Sequence, residues 1–303
     1  MFAIAVSLIM SMSCTAELKP PKFDAARAFS YLTAQVNFGP RVPGTEANKN
    51  CRTYFYQFFQ NLKIPCDSQT FEFDDPYSGK KVPLVNVIPR IKGKDSLSLG
   101  ILLMAHYDSR PRTDYPSSPE FADEPLVGAN DGASGAAVLM ELANLLAENQ
   151  PPRNIDFAFV DGEDWGEIGD NAYYLLGSKE FARRGVRNKY KFAIVVDMVG
   201  DSDQQICRET FSQEFHPKLN NMIWETAARL EISTFLDSTT HTILDDHISM
   251  ATSGVPAVVI IDFDYPYWHT ELDTVDKCSP QSLENVGRVL AQICYNPEIW
   301  PTK

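Results

Sequence analysis

Four apolar runs constrain what this chain can fold into: Leu99 to Ala105, Ile155 to Val160, Phe192 to Val199 and Val255 to Phe263. Each is short and continuous, without the alternation of a half-exposed strand. That is how a strand covered on both faces reads. Helical patterns separate them. Gly132 to Leu146 carries Val138, Leu139, Leu142, Leu145 and Leu146 and is stopped by Pro151-Pro152. Pro217 to Leu230 is amphipathic, Asp246 to Thr252 reads as a short helix, and Pro280 to Ile293 closes the chain. The alternation predicts an α/β fold, a three-layer sandwich whose central, mostly parallel twisted sheet has helices on both faces.

Upstream, Asp24 to Val36 has apolar residues at helical spacing with Asp24 as N-cap. Phe38 to Thr45 is a turn-rich loop, and Glu46 to Leu62 an aromatic-rich helix. Cys66 to Phe73 and Val82 to Ile91 read as strands of a hairpin-like addition. Arg110 to Leu126 is long, polar and Pro-containing, the pattern of a surface or lid loop. No composition shift divides the rest, so residues 23–303 are expected to form one catalytic domain.

Met1 to Ser13 is apolar and uncharged, too short to span a bilayer, and reads as the core of a signal peptide over residues 1–14. Residues 15–22 follow as a linker. Met12-Ser13-Cys14 is similar to the end of a bacterial lipoprotein signal, although Ser11 stands where such signals usually carry Leu. The expectation is an exported protein: periplasmic, secreted, or held at the outer membrane through a lipidated Cys14. Beyond Cys14 lie Cys51, Cys66, Cys207, Cys278 and Cys294, an odd number without zinc-knuckle spacing, read as buried thiols or at most a disulfide or two. The formal charge of −13 argues against nucleic acid as a partner, since a phosphate backbone calls for a basic footprint. Oligomeric state is not legible.

The chemistry lies at the strand ends. The run from Ile155 ends in Asp161-Gly162-Glu163-Asp164, two adjacent carboxylates that extended chain points in different directions. His106-Tyr107-Asp108 follows Leu99 to Ala105, Asp197 follows Phe192 to Val196, and Trp268-His269 follows Val255 to Phe263. Asp131 opens a helix from the glycine-rich turn Gly128-Ala129-Asn130-Asp131-Gly132. Each has an ordinary explanation taken singly: a loop, an N-cap, an aromatic corner. In a doubly wound sheet all of them reach one rim. Imidazole and carboxylate gathered there favour a Zn²⁺ site.

The order His-x-Asp, Gly-x-x-Asp-x-x-x-Gly, Asp-Gly-Glu-Asp, Asp197 and a late His-Thr resembles the zinc-aminopeptidase superfamily over roughly Phe38 to Ile293. Phe38-Gly39-Pro40-Arg41 and Gly254-Val255-Pro256-Ala257 also look like that family. Trp268 directly before His269, and Asp245-Asp246-His247-Ile248 upstream, resemble the glutaminyl cyclases (glutaminyl-peptide cyclotransferases) within it, in a bacterial form. That resemblance implies one zinc on Asp131, Asp164 and His269, with Glu163 as general acid/base. It also implies Asp197 and Asp245 as a hydrogen-bond relay and Trp268 as a substrate-binding wall. The substrate would be the N-terminal Gln, more slowly Glu, of a peptide or protein. Asp164 stands where the animal cyclases carry Glu, Ala105 replaces the cysteine of their disulfide near the site, and Trp165 follows the acidic pair at once. The other enzymatic reading is a two-zinc aminopeptidase: His106, Asp131 and Asp197 hold the second ion, and Asp108 orients His106. A binding protein without catalysis is the third, and the complete donor set argues against it.

Overall fold

The structure, a computed structural model, describes residues 19–302. The export signal and the lipidation of Cys14 lie outside these residues. A six-stranded sheet is formed by β1 (Cys66–Asp74), β2 (Lys81–Ile91), β3 (Gly100–His106), β4 (Ile155–Val160), β5 (Tyr190–Asp197) and β8 (Ala257–Ile261), in the order β1-β2-β4-β3-β5-β8. The four strands β4, β3, β5 and β8 run parallel. β2 pairs antiparallel with both β1 and β4. The expected hairpin addition is therefore one edge of the main sheet, which makes the sheet mixed. Val87, Ile88 and Ile91 of β2 are buried, so the hairpin has an apolar surface to contribute there.

Why the central strands read as unbroken apolar runs follows from which face each residue serves. Ile101, Leu103 and Ala105 of β3 join one core, and Leu102 and Met104 join the other. Phe192, Ile194 and Val196 of β5 alternate likewise with Ala193 and Val195. Successive side chains of a strand point to opposite faces, and here both faces are covered. The first core packs under α1 (Ala25–Val36), α2 (Glu46–Asn61), α3 (Ala133–Glu148), α6 (Pro217–Arg229) and α8 (Pro280–Tyr295). The second lies beneath α4 (Leu176–Arg183) and α7 (Asp246–Thr252). This is the three-layer sandwich expected.

Asp24 caps α1 as anticipated, accepting from the Arg27 amide at 3.0 Å. Three short elements were not anticipated: α5 (Thr210–Phe215) and the strands β6 (Ile206–Arg208) and β7 (Phe235–Thr239), which form a two-stranded parallel sheet. Each is too short to carry a periodic signal. The five cysteines from Cys51 onward are free thiols, with Cys51, Cys278 and Cys294 buried. The loop after β3 also departs from expectation. Its middle is exposed, but Arg110, Thr113 and Leu126 are buried, so its ends form part of the interior. No helix among the described residues is long and apolar enough to cross a membrane.

Candidate metal centre

Parallel register brings the strand ends level. His106 of β3 pairs with Val160 of β4, and Asp197 of β5 pairs with Ile261 of β8. The chain leaves β4 through Gly162, whose φ of +72° and contact with Leu84 exclude a side chain, and reaches Glu163 and Asp164. α3 starts against the end of β5 because Gly135 lets the backbones meet: a Cβ there would lie 2.0 Å from the Val196 carbonyl oxygen. That approach sets Asp131, just before α3, beside Asp197.

Two groups of donors result. One atom each of His106, Asp131 and Asp197 lie within 4.8 Å of one another, as do atoms of Asp131, Asp164 and His269. All five residues are buried. Asp131 belongs to both groups and divides its oxygens between them. Its Oδ1 lies 3.1 Å from His106 Nε2, and its Oδ2 lies 3.8 Å from His269 Nε2. Asp197 Oδ1 is 3.1 Å from His106 Nε2, and Asp164 Oδ1 is 3.4 Å from His269 Nε2. Asp164 Oδ2 is buried without a hydrogen-bond partner. A buried, unpartnered carboxylate oxygen beside an imidazole and a second carboxylate fits a zinc ion by donor type.

The residues around these groups hold them in place. Asp108 accepts the amides of Glu163 at 3.2 Å and Asp164 at 3.3 Å, and its Oδ1 lies 3.5 Å from His106 Nδ1. It therefore ties the acidic pair to the end of β3. Asp273 accepts the amides of Asn130 at 2.8 Å and Asp131 at 3.1 Å, and the Tyr265 hydroxyl at 2.8 Å. Arg110 donates to Asp164 Oδ1 at 2.5 Å, and its Nε lies 2.6 Å from Asp114 Oδ2. Asp114 in turn meets His269 Nδ1 at 2.7 Å. Sequence reasoning missed Arg110, Asp114 and Asp273. For the first two, their place directly after the His-x-Asp strand end was the available signal.

Charge sorts the carboxyls. Burial raises Asp164, but the Arg110 guanidinium and His269 outweigh it and hold this carboxyl well below the usual range. Burial pushes Glu163 well above its ordinary value, and nearby Asp164 adds to the rise. Asp245 is pushed up to about 7, by burial first and then by the charge of Asp197. Burial pulls His269 down, but Asp164 and Asp114 more than reverse this and carry it to about 9.

A cavity of about 230 Å³ opens over the site. Glu163, Asp197 and Asp245 contribute to its polar lining, and Tyr115, Phe263 and Trp268 to its apolar lining. The Trp268 ring stacks on that of His269 with centroids 3.8 Å apart and packs against Phe263 at 5.1 Å. Asp245 caps α7 by accepting the Asp246 amide, and its Oδ2 is buried without a partner. Trp165, by contrast, donates to Asp75 at 3.0 Å and packs on Phe73 of β1. Glu163 belongs to neither donor group.

Solved structures share this architecture. A glutaminyl cyclase from Bacteroides thetaiotaomicron bound to N-acetylhistamine superposes with a TM-score of 0.86 at 32% identity, covering 92% of this chain and 99% of its own. A leucine aminopeptidase precursor from the same organism matches with the same four values. A Zn-dependent exopeptidase from Parabacteroides distasonis gives a TM-score of 0.86 at 30% identity, over 92% of this chain and 100% of its own. Curated relatives match over less of their length: the chain spans 27% of a protein from Leptosphaeria maculans and 15% of a vacuolar membrane protease from Candida albicans. Residues 86–294, β2 through α8, match peptidase family M28, and this chain belongs to that zinc-dependent enzyme family.

Proposed function

We propose that this protein is a glutaminyl-peptide cyclotransferase, converting the N-terminal Gln, and more slowly Glu, of peptides or proteins to pyroglutamate. Ammonia leaves in the first case and water in the second. The observation that carries this reading is the composition of the cavity. Trp268, stacked on His269, walls a space of about 230 Å³ into which Glu163 and Asp245 face as polar lining. A volume below the roughly 300–1,000 Å³ usual for ligand pockets suits one small side chain folded back on its own amine.

Asp131, Asp164 and His269 would hold a zinc ion, which supplies Lewis-acid polarisation of the substrate γ-carbonyl when bound. The protein's own groups do the rest. The amine and the γ-carbonyl belong to one residue, and the apolar walls hold the flexible Gln side chain in the bent, near-attack conformation that brings them together. The α-amine nitrogen bonds to the γ-carbonyl carbon, and the bond from that carbon to the amide nitrogen breaks. Glu163 accepts the proton the amine loses and returns it to the departing nitrogen. Burial raises Glu163's affinity for a proton, which suits a group that must take one up and give it back. Asp245 and Asp197 lie beside this path as hydrogen-bonding groups for the substrate's amine and leaving nitrogen.

A second reading, a two-zinc aminopeptidase, is favoured by one observation: the group His106, Asp131 and Asp197 is intact, with both carboxylates 3.1 Å from the imidazole. In that case Glu163 would deprotonate a water. Parallel assays of ammonia release from a Gln-initiated peptide and amine release from a Leu-initiated chromogenic amide separate the two. Hydrolysis of the amide without cyclisation of the peptide would refute the cyclase.

A further inference from the structure

Asp114 and Arg110 lie in a loop whose sequence reads as solvent-facing, yet both side chains are almost fully buried against the site, at 8% and 1% exposure. Asp114 engages His269 from both ends. Its Oδ2 lies 2.7 Å from His269 Nδ1, and its amide and that of Tyr115 both donate to the His269 carbonyl at 3.2 Å. His269 needs such restraint, because its φ of +56° lies in the left-handed region that side-chain-bearing residues rarely adopt. With Nδ1 occupied, Nε2 is the nitrogen turned toward Asp164 and Asp131.

Arg110 completes the arrangement. One guanidinium forms an ion pair with Asp114, Nε lying 2.6 Å from Oδ2 without hydrogen-bond alignment, and donates through Nη1 to Asp164 at 2.5 Å. Its Nη2 is anchored to the Gly166 carbonyl at 2.8 Å and the Tyr174 hydroxyl at 3.0 Å. A single cation therefore sets the spacing between the partner of one donor and the other donor itself. It also takes Asp164 Oδ1, leaving Oδ2 as the free oxygen. The other imidazole is held less firmly: His106 Nδ1 is 3.5 Å from Asp108 and has no hydrogen-bond partner.

We propose that Asp114, braced by Arg110, is a positioning residue that fixes the ring orientation and tautomer of His269. By doing so it makes the Asp131–Asp164–His269 group the tighter of the two donor groups for a metal ion. The inference rests on the zinc reading of that group. A carboxylate on the far nitrogen of a metal-binding histidine both orients the ring and raises its basicity, and its loss typically weakens metal binding about 10- to 100-fold.

The test is a titration of the metal-free protein with Zn²⁺ against a chromophoric chelator of known affinity. Wild type is compared with Asp114→Asn, Asp114→Glu and, as a loop control, Glu120→Ala on the exposed part of the same segment. Circular dichroism of each metal-free protein monitors the fold. The first Zn²⁺ should bind about 10- to 100-fold more weakly to Asp114→Asn. Asp114→Glu, which keeps a charge for Arg110 and His269, should fall between Asn and wild type, and Glu120→Ala should match wild type. Wild-type affinity in a folded Asp114→Asn protein overturns the proposal. Should that variant not fold, wild-type affinity in Asp114→Glu does so instead. Failure of the wild-type protein itself to bind Zn²⁺ would remove the metal reading, a different result from equal binding by all four.

Discussion

Glu163 and Asp164 share a peptide bond and hold protons with opposite strength. Burial lifts the Glu163 carboxyl well above its ordinary value, whereas Arg110 and His269 hold Asp164 far below its own. The difference lies in partners. Asp164 has the Arg110 guanidinium at 2.5 Å, and Glu163 has the cavity. A permanently ionised carboxylate suits a cation, and one that binds its proton more readily suits proton transfer.

Glu163→Gln should therefore lower kcat by about 10²- to 10⁴-fold, the usual worth of a positioned acid or base. Zinc content should stay at the wild-type level. Turnover measured beside metal analysis of the same preparation checks both. Loss of the metal would make Glu163 a ligand and the assignment wrong.

Metal removal should also act on the fold. Asp131, Asp164 and Asp197 are buried together, and Asp131 is raised by burial and by the charge of Asp164. A cation binding only the folded form stabilises it by about 2.7 kcal/mol at a hundredfold excess over its Kd. Dialysis against a chelator should lower the melting temperature, and added Zn²⁺ should restore both stability and turnover. One zinc per chain is expected of the cyclase and two of the aminopeptidase.

Trp268 both walls the cavity and stacks on His269. Trp268→Ala should cut kcat/KM at least about tenfold, with most of the loss in KM if the ring mainly binds the substrate side chain. Trp268→Phe, which keeps an aromatic face, should recover much of it. Equal kinetics in the Ala variant and wild type would remove this residue from the site.

Glu209 gives a pH signature away from the metal donors. It accepts the amides of Phe211 at 2.9 Å and Ser212 at 2.7 Å in α5 and that of Ile243 at 3.2 Å, and lies 3.2 Å from His247 Nε2, fixing α5 against the segment that leads to Asp245 and against α7. Burial raises this carboxyl, but His247 and the two α5 amides more than reverse that and hold it at about 2, against an ordinary 4.5. A depressed folded-state value stabilises above the unfolded one and is lost as pH falls from about 4.5 towards 2. The contribution is up to about 3 kcal/mol near neutrality. Urea unfolding of wild type and Glu209→Gln should show a gap at pH 7 that narrows steadily below pH 4.5. A gap independent of pH would mean the charge is not what stabilises.

The sandwich was legible because strands buried on both faces leave unbroken apolar runs, as Ile101 to Ala105 does. The donors were legible because they sit immediately past those runs, as His106 and Asp197 do. Trp165 and Trp268 show the limit. Both stand beside site residues in sequence, yet one packs toward β1 and the other into the cavity. Arg110, Asp114 and Asp273 were hidden because loop composition records polarity, whereas burial here comes from pairing polar groups with one another. β6 and β7 were hidden because strands of three and five residues are stabilised by each other and by the neighbouring helix, leaving no period to detect.

Cyclisation is the activity proposed for this zinc-dependent enzyme. It is tested most directly by giving purified, zinc-loaded protein a Gln-initiated peptide and following ammonia together with product mass. One ammonia released per peptide, a product lighter by one NH₃ and an otherwise intact chain are expected. Release of free glutamine with a peptide shortened by one residue would contradict it.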